Sequence, residues 1–159
     1  ARGAMVLARI LAYAEAFEPR SDRGPLTGRA VERAIQLVLR RAGLSPPEVG
    51  HINAHGMSTR HDDRIEAQAI HRTLPETPVT APKSYFGHLG AGSGAVEMAV
   101  SVLAFQHQLL PPTLNYHRPD PECPIRVAAD TPRPLGAATA IKLSHAWTGQ
   151  AAALVLAGP

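Results

Sequence analysis

The chain has 159 residues, 45% of them hydrophobic and 18% charged, with a formal charge of +3, and a chain of that length supports one domain burying roughly 68 to 70% of its unfolded surface without cross-links. Its 16 basic residues are dispersed, Arg40-Arg41 being the one adjacent pair, and aromatic content is 4%, which excludes a basic stripe or a stacking platform for nucleic acid. No apolar run approaches the ~18 residues a membrane helix needs, and the single cysteine, Cys123, excludes an internal disulfide and fits a reducing, cytoplasmic setting.

The first seventeen residues have a basic start and an apolar middle, but Arg9 interrupts the run and Glu15 follows it, which argues against a secretory signal. Opening on Ala1 instead of methionine reads as a piece of a longer protein. Residues 4–13 predict a short buried strand, and Pro19, Gly24, Pro25 and Gly28 mark 18–28 as a loop. From Arg29, apolar positions Val31, Ala34, Ile35, Val38 and Ala42 keep a helical period that Gly43 stops. Ser45-Pro46-Pro47-Glu48 has capping-box spacing, so one helical turn precedes a strand over 49–54. Asp62 or Asp63 is expected to cap a helix through Ile65, Ala69 and Ile70. A short strand over 79–81 leads to a loop carrying Lys83 and His88. A helix over 92–108, with Val96, Ala99, Val100 and Leu103 on one face, ends before Pro111-Pro112. Strand-like runs at 125–128, 137–143 and 151–157 complete an α/β pattern: a sheet of about five strands layered with helices.

Two stretches carry chemistry. His55-Gly56-Met57-Ser58-Thr59 closes a strand, and Pro82 to Glu97 places Lys83 and His88 just before a helix through Gly90, Gly92 and Gly94. These glycines suggest close helix packing more than a nucleotide loop, since no strand runs directly into them. His51 and His55 on one strand stand ~13 Å apart at ~3.3 Å per residue, too far for a shared zinc, so no metal site is expected. Cys123 sits between Glu122 and Pro124, the wrong neighbourhood for an activated thiolate.

With Glu66-Ala67-Gln68-Ala69-Ile70, Gly94-Ala95-Val96-Glu97 and Leu110-Pro111-Pro112-Thr113-Leu114-Asn115, these motifs resemble, in order, the C-terminal half of a β-ketoacyl synthase. The resemblance implies a thiolase-like fold built of two similar halves, of which residues 1–159 would be the second. The nucleophilic cysteine would lie on a first half absent from this chain, leaving the fragment inactive alone. It implies a decarboxylative Claisen condensation of malonyl thioester with an acyl chain, in fatty-acid or polyketide synthesis, with no cofactor. The partners would be acyl carrier protein bearing acyl and malonyl thioesters, the first half, and a second copy in a homodimer. By the same resemblance His55 and His88 would be neutral donors to the thioester oxygen, where enolate charge develops. Lys83 would hold His88 neutral, and Glu97 would support Lys83 in a buried network.

The closing segment departs from the family. Where the family reads Asn-Ser-Phe-Gly-Phe-Gly-Gly, this chain reads Leu143-Ser144-His145-Ala146-Trp147-Thr148-Gly149, so Trp147 would supply the backbone donor of the oxyanion hole and gate. Ala146 and Thr148 replace conformationally permissive glycines, and Met57, Tyr85 and Phe86 would narrow the substrate channel. The altered loop keeps open a non-catalytic, chain-length-factor type partner subunit. A metal-dependent hydrolase is the third and weakest reading. A missing half would also leave apolar surface exposed and favour self-association.

Overall fold

A computed structural model of the chain describes residues 3–20 and 24–159. Positions 21–23 of the loop expected over 18–28, and the first two residues of the expected domain, lie outside the described residues. Two neighbouring strands set the layering. Along β7 (Thr139–His145) and β8 (Gln150–Ala157), Ile141, Leu143, Ala151, Ala153 and Val155 join one core, while Ala140 and Leu156 join another on the opposite face. Such period-2 alternation buries both faces of a sheet only if helices cover both. On the first face lie α1 (Arg29–Ala42), through Val31, Ala34, Ile35 and Val38, and α2 (Arg60–Thr73), through Ala69 and Ile70. On the second lies α4 (Ser93–His107), through Phe105 and Met98.

The sheet has six strands in the order β1-β8-β7-β2-β3-β5, with β1 (Arg9–Phe17), β2 (His51–Asn53), β3 (Pro78–Thr80) and β5 (Arg126–Val127). β1, β8 and β7 pair antiparallel, whereas β7, β2, β3 and β5 run parallel. Three adjacent parallel strands, β7, β2 and β3, therefore end at the same edge, the place where open α/β sheets put their chemistry. Asn53 is the register point, opposite both Thr80 and Lys142.

Local signals explain most boundaries. Gly43 caps α1 in the left-handed region at φ 67°. The Ser45–Glu48 capping box forms, with both the N–H and the hydroxyl of Ser45 donating to Glu48, at 2.8 and 2.6 Å. Other expectations need correction. β1 begins at Arg9 because its extent is set by pairing with β8, Arg9 to Ala157 through Phe17 to Gln150. It is an edge strand, with Ile10, Tyr13 and Phe17 exposed. Thr59, not an aspartate, caps α2, its hydroxyl accepting from Asp62 N–H at 3.1 Å. A two-stranded ribbon of β4 (Leu109–Leu110) and β6 (Arg133–Pro134) lies outside any sequence pattern.

Helix α4 is inverted relative to its apolar pattern. Its buried positions are Ser93, Glu97, Ser101, Ala104 and Phe105, while Val96 is 40% and Leu103 51% exposed. Polar partners at the strand ends satisfy the inward stripe, and the apolar one is left uncovered. Close packing also fails to explain the glycines: a Cβ at Gly90, Gly92 or Gly94 would meet open space, and only Gly90, at φ 60°, has a backbone reason.

Candidate active site at the parallel strand ends

Each strand of the parallel trio delivers its residue just past its carboxyl end. His55 follows β2, Lys83 follows β3 at the start of the short helix α3 (Lys83–Phe86), and His145 closes β7. His88 lies in the loop between α3 and a single 3₁₀ turn, Gly90–Gly92, that leads into α4. The His55 and His88 rings face each other nearly at right angles, 85°, with centroids 6.3 Å apart.

Donor geometry fixes both tautomers. The Lys83 ammonium has only protons to offer, so its 3.2 Å contact to His55 Nδ1 makes that nitrogen an acceptor and leaves the ring proton on Nε2. The same ammonium donates to the His55 carbonyl and pairs with Glu97, each at 2.5 Å. At His88, Nδ1 accepts the Gly90 N–H at 3.1 Å, so Nε2 again carries the proton. Each ring thus has its Nδ1 occupied as an acceptor and its proton on Nε2. Burial pushes the His55 imidazolium down to about 3; Glu66 opposes this, while Lys83, His145 and Lys142 reinforce it. The Lys83 ammonium, expected near His88, makes its histidine contacts with His55.

Glu97, fully buried, is held from both sides. Lys83 meets one carboxylate oxygen at 2.5 Å and Lys142 meets the other at 2.6 Å. Lys142 is a partner that sequence reading missed, since it reaches Glu97 from a strand 45 residues later in the chain, counting 97 to 142. Asn53 completes the support, donating to the Glu97 carbonyl at 2.6 Å and to Ser101 at 3.0 Å. Fully buried His51 sits beside Ser101 and Phe105, with its imidazolium pushed down to about 4 by burial. No group of three or more His, Cys, Asp or Glu side chains gathers into a metal site among the described residues.

A second missed residue is Glu66. Its carboxylate accepts the N–H groups of His55 and Gly56, at 2.7 and 2.9 Å, which clamps the turn carrying His55. Burial alone would push its pKa up, but His145 and those two N–H groups outweigh it and hold the carboxyl down at about 2. Trp147 lies on the turn between β7 and β8, its ring exposed and overlain by Arg20 at 5.3 Å. Gly149, at φ 101°, is the residue this turn requires, because a Cβ there would fall 2.0 Å from the Glu18 carbonyl oxygen. The Tyr85 hydroxyl donates to the Pro112 carbonyl at 2.8 Å, tying α3 to that segment. Beside Gly56 and Glu66 opens a cavity of about 310 Å³ that Cys123 lines, and burial and Asp120 push its thiol up, away from a nucleophile.

The family model for the β-ketoacyl synthase C-terminal domain matches residues 7–117. The chain belongs to the β-ketoacyl synthase family. The chain is 40% identical over 97% of its length to a 3-oxoacyl-[acyl-carrier-protein] synthase 2 of Mycobacterium bovis. It is 36% identical over 98% of its length to a putative polyketide β-ketoacyl synthase 1 of Streptomyces virginiae. In each case it spans 38% of the relative. The ishigamide ketosynthase/chain length factor superposes on 99% of the domain with a TM-score of 0.89 at 29% identity, the match covering 40% of that chain. The thiolase-like mixed α/β fold implied by the sequence is therefore observed, with six strands in its main sheet instead of about five. No helix among the described residues is long and apolar enough to cross a membrane.

Proposed function

We propose that this domain is the second half of a 3-oxoacyl synthase, which decarboxylates a malonyl thioester and joins the resulting carbanion to the carbonyl of an acyl chain held on a cysteine of a first half, breaking that thioester's C–S bond and releasing the cysteine as its thiolate. The observation that supports the reading is the approach of the His55 and His88 rings, centroids 6.3 Å apart, each with its Nδ1 engaged as an acceptor so that Nε2–H is left to donate. Decarboxylation expels CO₂ and leaves its electron pair on the thioester as an enolate. Fixed N–H donors stabilise that oxygen without reorganising. Lys83 and Glu97 act behind them, holding His55 in the donating tautomer. The relatives' names, 3-oxoacyl-[acyl-carrier-protein] synthase among them, support acyl carrier protein as the thioester carrier. The backbone of Trp147 is the proposed further oxyanion donor.

The outward apolar stripe of α4, Val96 and Leu103 included, suits the seam with that first half. Co-expression with a nucleophile-bearing ketosynthase half is expected to yield a complex that condenses acyl and malonyl carrier-protein thioesters. Val96→Lys with Leu103→Lys is expected to prevent its assembly. A chain-length-factor type role is the second reading, favoured by the closing turn, where His145 and Trp147 stand in place of the family's phenylalanines. A complex that assembles but does not condense would select it.

A further inference from the structure

The β7 terminus places a third imidazole against the pair. The His145 ring lies 4.7 Å from His55, centroid to centroid, tilted 63°. Its side chain is 4% exposed, and its Nε2, with no hydrogen-bond partner among the described residues, stands 3.8 Å from Glu66 Oε2. An unpartnered buried imidazole nitrogen aimed at a carboxylate is costly unless that contact closes. The carboxylate it faces is the one that holds the backbone of His55 and Gly56.

We propose that His145 is a positioning residue for His55: as an imidazolium paired with Glu66, it fixes the turn carrying His55 and holds the neighbouring ring neutral. The inference rests on reading His55 as an oxyanion donor. Its chemistry is electrostatic. A proton on His145 draws Nε2–H onto Glu66, adding a third donor to a carboxylate that already accepts two. It also sets a positive charge beside His55, which disfavours a second proton there. The other charges around His145 have defined places. Lys142, on its own strand, and Lys83, from α3, are both paired with Glu97. Glu15 in β1 and Glu18 just past it each line a cavity that also borders His145. Among the described residues, Glu66 is the carboxylate within ion-pair distance of His145. A phenylalanine, the family's residue at this point, can pack against His55 but cannot carry the charge.

The test is long-range ¹H–¹⁵N spectroscopy of the histidine-labelled chain across pH, with His145→Phe identifying its signals. Glu66→Gln is expected to lower the His145 midpoint by about 1 to 3 pH units. The His55 ring signals are expected to shift in the same step as His145 titrates, and to lose that step in His145→Phe. An unchanged His145 midpoint in Glu66→Gln, or a His55 step that survives His145→Phe, overturns the proposal. If Glu66→Gln unfolds, the His145→Phe comparison decides alone. These readouts need no turnover, so failure of condensation and failure of this inference are separate results.

Discussion

Glu97→Ala is expected to destabilise the domain by about 3 to 5 kcal/mol, the range for stripping one partner from a buried ion pair. The cost arises from what remains. Lys83 and Lys142 meet the two oxygens of a fully buried carboxylate, at 2.5 and 2.6 Å, and its removal leaves two ammonium groups facing each other without an anion. Glu97→Gln separates charge from shape, since it keeps the volume and an acceptor. Burial already lowers the Lys142 ammonium below its usual range, with Glu97 opposing, so losing the anion frees Lys142 to shed its proton in the folded state. The unfolded chain, whose lysine has a pKa of about 10.4, then binds more protons than the folded one. Stability of Glu97→Gln is therefore expected to rise with pH toward that value. Urea unfolding at several pH values reads both variants, and wild-type midpoints throughout would refute the triad's role.

In the assembled enzyme, His55→Ala and His88→Ala are each expected to lower kcat for condensation by about 10² to 10³, the usual consequence of deleting one oxyanion donor. The two should not be equivalent in other respects. His55 is anchored by Lys83 at Nδ1 and by Glu66 at its backbone, so its loss also frees a buried ammonium proton. His88 is exposed and held only through the Gly90 N–H among its described contacts, so His88→Ala should leave the unfolding midpoint nearly unchanged. His88→Gln, which restores a neutral N–H donor, should recover part of the rate. A general base would not be replaced by an amide. Circular dichroism and stopped-flow condensation assays check these together; full activity in His88→Ala would remove His88 from the mechanism.

The sequence exposed the fold wherever local rules decided it. The α1 period, its Gly43 cap and the Ser45–Glu48 box are written in consecutive residues and appear as read. The histidine pair and Lys83 were legible from motif order, and parallel strand ends explain their meeting. What stayed hidden depends on partners distant along the chain. Lys142 and His145 come from β7, whose register opposite Asn53 no local pattern reveals. The apolar period of α4 pointed to the wrong face because a buried carboxylate and two serines face its strands. β1 was displaced for a related reason, since its limits belong to β8.

Ring-nitrogen spectra of His55 and His88 at neutral pH bear most directly on the site. His55 should be neutral with the proton on Nε2 and remain so on acidification until about pH 3, and in His88 the nitrogen facing the Gly90 N–H, Nδ1, should be the unprotonated one. A His55 ring that carries its proton on Nδ1, or that becomes cationic near pH 6.5, would contradict a pair of neutral donors gripping one enolate oxygen.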